Sequence, residues 1–472
     1  MQAHDGMYVD GAWRPALAHE TIRVTNPADG STLATVPAGG ADDVDVAVRA
    51  ARAAQPAWAA TPPAQRAAVL RALHKELEAR REQVAATVTA ELGAPLAFSR
   101  AVHAAVPVAV CGSYAELAAE HPFEETIGNS RVLHEPVGVV AAITPWNYPL
   151  HQIVAKVAPA LAAGCAVVLK PAEDTPLVAR LFAEAVHEAG VPAGVFNLVT
   201  GLGPVAGQAL AAHEGVDLVS FTGSTAVGRR IGAAAGGAVK RVALELGGKS
   251  ANVILPGADL TKAVKVGVAN VMSNSGQTCS AWTRMLVDAD RYDEAVRLAA
   301  EAVAKYVPGD PADETTRLGP VVNAAQRDRV TGYIRTGVEQ GARLVAGGPE
   351  EPEGHEGGCY VRPTVFADVT PEMTIAQEEI FGPVLCILKY ADTDEALRIA
   401  DGTVYGLAGA VWSEDEEEAV AFARRLHTGQ VDINGGRFNP RAPFGGYKQS
   451  GVGRELGPHG LGEYLQTKSL QF

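Results

Sequence analysis

The sequence predicts an α/β fold in which a parallel sheet flanked by helices is followed by a second α/β unit. Three observations carry that prediction. Between Val137 and Gly248, five short apolar runs at 137–143, 166–169, 195–199, 218–221 and 242–246 alternate with segments of helical composition. Runs that are apolar throughout are the signature of parallel strands buried on both faces. The first, second and fourth runs end in residues that suit a ligand: Thr-Pro-Trp-Asn-Tyr-Pro at 144–149, Lys-Pro-Ala-Glu at 170–173 and Thr-Gly-Ser-Thr at 222–225. Parallel sheets bind ligands at the carboxyl ends of their strands. Finally, the alternation resumes between Ser250 and about Gly429.

In chain order, residues 7–9, 22–25 and 32–36 read as short strands, with the turn signal Asn26-Pro27-Ala28-Asp29-Gly30 between the last two. From Ala41 to about Glu120 the pattern is helical: Asp42-Asp43 caps one segment, Pro62-Pro63 opens another, and Gly93-Ala94-Pro95 separates a third. These helices read as scaffolding. Residues 122–135 suggest a hairpin turning at Gly128-Asn129. In the second unit a helix is expected at 260–271, a strand at 285–287 and a helix at 292–305, with a solvated Gly/Pro/Glu loop at 347–358. The glycines of the closing segment 434–455 suit a loop packed close to something, and a β-prone tail spans 464–472. No internal repeats are visible.

The length of 472 residues allows roughly three domain-sized units. With 40 basic and 54 acidic residues the net charge is −14, which argues against nucleic-acid or anionic-membrane partners. Five scattered cysteines without CxxC pairs oppose a disulfide framework and a zinc site, and the 12 histidines form no ligand spacing, so no metal is expected. The run Met1-Gln2-Ala3-His4-Asp5-Gly6 has no signal-peptide character, and the apolar stretch 153–169 is interrupted by Lys156 and Pro159. A cytoplasmic protein is expected.

The chemistry centres on Ser-Gly-Gln-Thr-Cys-Ser at 275–280. Gly276 and the small residues Thr278 and Ser280 leave the Cys279 sulfur accessible. A free thiol of pKa ~8.5 needs a base or a cationic field to act as a nucleophile. The candidate base is Glu245, in Leu-Glu-Leu-Gly-Gly-Lys at 244–249; the alternative is a buried structural cysteine. Ser224 opens a helix through Gly228, which would offer free N–H groups to a pyrophosphate. Lys170 and Glu173 are either solvated loop charges or ligands for ribose hydroxyls, Glu173 then repelling a 2′-phosphate.

Pro-Trp-Asn (145–147), Lys-Pro-Ala-Glu (170–173), Phe-Thr-Gly-Ser (221–224), Glu-Leu-Gly-Gly-Lys (245–249), Gly-Gln-Thr-Cys (276–279), Glu-Glu-Ile-Phe-Gly-Pro (378–383) and Pro-Phe-Gly-Gly-Tyr-Lys (443–448) occur in this order over nearly the whole chain. Jointly they resemble the NAD(P)-dependent aldehyde dehydrogenase superfamily of the hydrolytic, non-acylating type. The resemblance implies a Rossmann-type NAD-binding domain at 1–116 and 137–248, a catalytic domain at 249–459, and an oligomerisation arm at 117–136 and 460–472 whose partner sheet lies in a neighbouring subunit of a homodimer or homotetramer.

By motif position the resemblance makes Cys279 the nucleophile, Glu245 the general base and Asn147 an oxyanion donor. Lys156 and Glu455 match a proton-exit path, with a surface lysine and a loop carboxylate as the alternative. The cofactor, NAD or also NADP, would meet Thr144, Pro145, Trp146, Lys170, Glu173, Gly203, Gly223, Ser224, Gly228, Leu246, Gln326, Glu379 and Phe381. An aldehyde would pass Tyr148, His151, Gln152, Ala155, Ser273, Phe438 and Phe444. Ala155 and Ser273 suggest a wide, polar passage, and the loop 437–441 offers Arg437 and Arg441 to a carboxylate on the substrate, or else simply to solvent. Rival readings are a CoA-acylating dehydrogenase, a catalytically idle protein of the same fold, and a cysteine hydrolase.

Overall fold

A computed structural model describes residues 2, 3, 6–17 and 19–472, with side chains from Gly6 onward. Met1, His4 and Asp5, in the run read for a signal peptide, lie outside the described residues. The first large sheet has eight strands in the order Gly451–Val452, Arg241–Glu245, Leu218–Thr222, Val139–Ile143, Ala166–Lys170, Phe196–Leu198, Gly6–Val9, Ala12–Pro15. Its central five are parallel, while Gly451–Val452 and the N-terminal hairpin pair antiparallel at the two edges. The chain runs outward from Val139–Ile143 through the next two strands, then returns to place Leu218–Thr222 on the other side. This reversal leaves a crevice at the carboxyl ends of Val139–Ile143 and Leu218–Thr222, where open α/β sheets bind ligands.

The second sheet has seven strands: Arg343–Ala346, Thr364–Ala367, Val384–Tyr390, Arg284–Asp288, Ala251–Ile254, Ala408–Trp412 and Gln430–Ile433. Only the first pair is antiparallel. The strand Arg241–Glu245 of the first sheet runs through Leu246-Gly247-Gly248 into Ala251–Ile254 of the second, so that short connection lies where the sheets meet. A third sheet pairs Leu465–Gln471 with Ser130–Pro136 and Glu124–Ile127, all antiparallel and within one chain.

The five expected parallel strands, the early strands and the hairpin at Gly128-Asn129 are all present. The strand Ala12–Pro15 was not foreseen, although Asp10 (φ 56°) and Gly11 (φ 76°) form the left-handed pair that a tight Asp-Gly hairpin demands. The helix Ala105–Glu120 crosses the expected boundary at 116/117. Gly451–Val452, expected in the second unit, belongs to the first sheet. The continuous helical stretch Leu96–Glu120, 25 residues containing an 18-residue window of mean hydropathy 1.3, is long and apolar enough to cross a membrane by length and composition. That corrects the expectation that no stretch reaches spanning length. Here Val108, Val110, Cys111, Tyr114, Ala115 and Ala118 of this helix are buried in the core that also holds Leu70, Leu73 and Leu77.

Candidate active site

The loop carrying Cys279 leaves the helix Leu260–Met272 through three successive left-handed residues, Asn274 (φ 52°), Ser275 (φ 54°) and Gly276 (φ 75°). Such a run is strained for anything but glycine, and persists only where surrounding contacts determine it. Asn274 Nδ2 donates to the carbonyls of Asn147 at 2.8 Å and Gln277 at 3.3 Å. Ser275 Oγ donates to Gly319 O at 2.8 Å, and Gln277 Oε1 accepts from Val322 N at 2.9 Å. At Gly276 a methyl group would lie 2.0 Å from the carbonyl carbon and oxygen of Gly382. Two backbone segments are in contact there, and only glycine permits it.

The loop holds Cys279 half-buried on the wall of a cleft. Burial raises the thiol's pKa, and Glu379, Glu245 and Glu455 raise it further; only the Ser280 N–H acts in the other direction. The charges that act most on the sulfur are therefore carboxylates, which leaves its activation to a base. Glu245 ends the strand Arg241–Glu245 and is 5% exposed, and neither of its oxygens has a hydrogen-bond partner. Burial raises its pKa well above the carboxylate range; Glu455 adds to the rise, and Lys156 and Arg454 oppose it. Gly445 packs so close that a Cβ there would stand 2.7 Å from Glu245 Oε1.

Asn147 is 3% exposed and its Nδ2 donates to Gln277 O at 3.2 Å. A primary amide has two N–H bonds, so a second donor remains. Behind Glu245, the ammonium of Lys156 lies within the core, hydrogen-bonded to Glu455 Oε1 and, at 2.7 Å, to Thr222 Oγ1. The alternative of a surface lysine is thereby excluded.

The cleft is lined by Pro145, Trp146, Asn147, Thr222, Gly223, Ser224, Leu246, Cys279, Gln326, Glu379 and Phe381, all expected at a ligand site, together with Gly247 and Arg329, which were not. Glu379 accepts from Gly248 N at 2.9 Å, and burial pushes its pKa up to about 7. Phe381 (φ 64°) meets Trp146 edge to face at 5.4 Å, and its carbonyl accepts from Gln326 Nε2 at 2.7 Å. Ser224 caps the helix Thr225–Gly237, and Gly228 on that helix packs so close that a Cβ would stand 2.3 Å from Leu246 Cδ2. Gly228 thus sets how closely helix and strand approach and does not itself reach the cleft.

One strand over, Lys170 Nζ donates to Glu173 Oε2 at 3.1 Å, and Gly203 N approaches Glu173 Oε1 at 3.5 Å. Burial alone would raise the pKa of Glu173, but Lys170 and the N–H donors hold it below the ordinary value. Thr144, between the two groups, keeps a buried hydroxyl without a partner. These four residues form a cluster beside the cleft wall.

The expected substrate positions divide. Tyr148 OH lies 2.7 Å from Thr278 Oγ1, and His151 meets Phe438 at 6.2 Å. Gln152 is buried with its Oε1 unpartnered, and Phe444 packs against the core of the first sheet. Ala155 is 1% exposed and packed in that core, so it widens no passage. The hydroxyl of Ser273 donates to Ala269 O at 2.8 Å. Arg441 pairs with Glu116 at 2.6 Å, whereas Arg437 forms no ion pair among the described residues.

Sequence reasoning missed His103 and Phe98, which lie in the helices first taken as scaffolding. The His103 ring stacks at 5.0 Å on Tyr148, and Phe98 packs on His103 at 5.3 Å. His103 Nε2 also meets Asn274 Oδ1 at 3.3 Å, and burial pushes its pKa down to about 3. It sits in a one-turn π-helix, Ser99–Ala104, a device common at functional sites. Nothing in local composition signals a π-turn.

The aldehyde dehydrogenase family model matches residues 13–470. The chain is 48% identical over 477 residues to 3-succinoylsemialdehyde-pyridine dehydrogenase of a Pseudomonas species, covering 100% of this chain and 99% of that one. It superposes with TM-score 0.98 on a cysteine-to-alanine mutant of aldehyde dehydrogenase C from Pseudomonas syringae complexed with NAD+ and octanal, at 49% identity over 99% of this chain and 96% of that one. The TM-score is also 0.98 with a Mycobacterium tuberculosis aldehyde dehydrogenase complexed with NAD+, at 44% identity over 100% and 98% of the two chains. An isolated thiol, a buried unpartnered carboxylate and a crevice at a parallel-sheet switch point thus occur in a chain that belongs to the aldehyde dehydrogenase family.

Proposed function

We propose that this chain oxidises an aldehyde to the carboxylate with NAD through a covalent intermediate on Cys279. The observation that carries the reading is Glu245, a buried carboxylate with both oxygens free, electrostatically coupled to a thiol that resists ionisation. The residues fit a dinucleotide. Thr144 keeps an unpartnered buried hydroxyl, the helix capped by Ser224 directs N–H groups toward the cleft, and Gly247 leaves a space that a Cβ would close to 2.4 Å from Glu379 Oε2. Lys170 and Glu173 would hold the adenosine ribose, with Gly203 beside it, and Glu379, Gln326 and Phe381 the nicotinamide end. An ionised Glu173 repels a 2′-phosphate, which favours NAD over NADP.

In the first half-reaction Glu245 takes the proton of Cys279 and passes it to the Lys156–Glu455 pair while the sulfur bonds to the aldehyde carbon. The carbonyl oxygen of the thiohemiacetal gains negative charge, and the second N–H of Asn147 and the N–H of Cys279 stabilise it. One such donor typically contributes ~2.7–4 kcal/mol. NAD, when bound, supplies the two-electron acceptor that converts this species to a thioester. Glu245 then takes a proton from water as the water oxygen attacks the thioester carbon, releasing carboxylate and restoring the thiol. The buried chain Lys156–Glu455 behind it carries that proton away. A carboxylate poised on water favours hydrolysis over transfer to CoA.

The eight-stranded sheet serves the cofactor, the seven-stranded sheet presents the nucleophile, and the three-stranded sheet of Leu465–Gln471, Ser130–Pro136 and Glu124–Ile127 is the oligomerisation arm. The strand Leu465–Gln471 pairs on one edge only and is exposed beyond Leu465, so its outer edge is open to a second copy of the chain. The test is NADH formation from aliphatic, aromatic and carboxylate-bearing aldehydes by wild type and Cys279→Ala. Activity lost in the mutant supports the reading; no NADH from any aldehyde in the wild type overturns it.

A further inference from the structure

A second, smaller cavity lies under the second sheet, bounded by Lys249, Ser250, Arg284, Asp401, Leu407 and Thr428. The centre of a water-sized sphere can occupy about 20 Å³ of it. The interior of this partly open cavity has room for one or two species the size of water. Its walls hold three of the molecule's unsatisfied buried polar atoms: Lys249 Nζ, Ser250 Oγ and Thr428 Oγ1. Lys249 is 2% exposed and Ser250 3%.

The charges there are unbalanced. Arg284, 2% exposed, donates only to carbonyls: those of Lys249 at 2.9 Å and of Ile399 and Ala400 at 2.6 Å each. Its hydrogen bonds are satisfied by carbonyls, and the carboxylate that acts on its charge is Asp401, without a direct ion pair. Lys448 nearby likewise donates to the carbonyls of Asp401 at 3.0 Å and Thr403 at 2.9 Å. Asp401 is the one carboxylate on the cavity wall, and it is held by His427, through the backbone N at 3.0 Å and Nδ1 at 2.6 Å. Burial pushes the pKa of Lys249 down to about 8. A buried ammonium with no partner is costly, and water would meet its hydrogen bonds without neutralising it.

We propose that this cavity is a binding site for a halide-sized monovalent anion, physiologically chloride, held by the Lys249 ammonium and the hydroxyls of Ser250 and Thr428. Three unpartnered donors on residues lining one cavity, two cations there against the single carboxylate Asp401, and room for one or two waters define that ligand class. The site adjoins the catalytic loops: Gly248, the residue before Lys249, donates to Glu379 and packs so that a Cβ would stand 2.4 Å from Cys279 O. The anion anchors the base of that turn.

Bromide is the probe. Crystals of the full chain grown in acetate and soaked in sodium bromide should show an anomalous peak in this cavity, absent in Lys249→Met. In solution, the Tm should rise saturably with potassium chloride but not with potassium gluconate at equal ionic strength. Should Lys249→Met not fold, Ser250→Ala and Thr428→Val carry the test, each moving the chloride midpoint to higher concentration. Density for water alone, or chloride and gluconate curves that superimpose, would overturn the proposal. Both readouts are taken without aldehyde or NAD, so they stand or fall separately from the dehydrogenase reading.

Discussion

Gly276→Ala tests whether the position of the nucleophile is fixed by a single backbone contact. Gly276 is left-handed at φ 75°, which costs an L-residue about 1–2 kcal/mol. The added methyl would also stand 2.0 Å from the carbonyl of Gly382, and neither side of that contact is a flexible side chain. Restoring an ordinary separation near 3.4 Å requires a shift of more than 1 Å between the segment that carries Cys279 and the one that carries Glu379 and Phe381. Displacements of about 1 Å in a reacting constellation lower rates roughly 10²-fold. The variant should therefore lose about two orders of magnitude in kcat/KM, measured by NADH formation, and its Cys279 should react with iodoacetamide at an altered rate. Gly236→Ala is the control: its Cβ would meet nothing within 4 Å in the helix Thr225–Gly237, so it should gain about 0.4–1 kcal/mol of stability at wild-type activity. Wild-type turnover in Gly276→Ala would refute the idea that this contact aligns the thiol.

Four further outcomes are expected. Glu245→Gln should lower steady-state turnover by ~10²–10⁴-fold and shrink the burst of NADH with it, because the same carboxylate takes the Cys279 proton before acylation and the water proton after it. In the wild type, activity should rise with pH through a midpoint well above the usual carboxylate value near 4.3, since burial raises the pKa of Glu245 and only its ionised form accepts a proton; the Gln variant should lack that limb. Lys156→Met leaves Glu455 buried without its cation and should cost about 3–5 kcal/mol in urea denaturation, part of which Lys156→Met combined with Glu455→Leu should restore. Glu173→Gln should improve kcat/KM for NADP roughly tenfold, equivalent to about 1.4 kcal/mol of repulsion removed, with a smaller change for NAD.

What was legible in the sequence follows from how far each signal reaches along the chain. The strand Ala166–Lys170 is readable because a strand buried on both faces needs an unbroken apolar run, which is a local requirement. The glycines of the closing segment were readable as a close approach, but what they approach is not. Gly445 faces Glu245 and Gly451 faces Leu244 O, some two hundred residues earlier in the chain. His103 was missed because a histidine on an apolar helix looks the same whether it packs in a core or braces Tyr148 and Asn274. The wide, polar passage inferred at Ala155 failed for the converse reason: a small residue opens space only if its neighbours leave it unfilled, and here the core fills it. Lys249 lies in the same motif as Glu245, and sequence ranks them alike as polar residues beside glycines. The difference is that Glu245 acts on Cys279 behind the cleft wall, whereas Lys249 is enclosed beside Arg284, 35 residues on. One buried charge is free to take a proton, and the other requires a counter-ion.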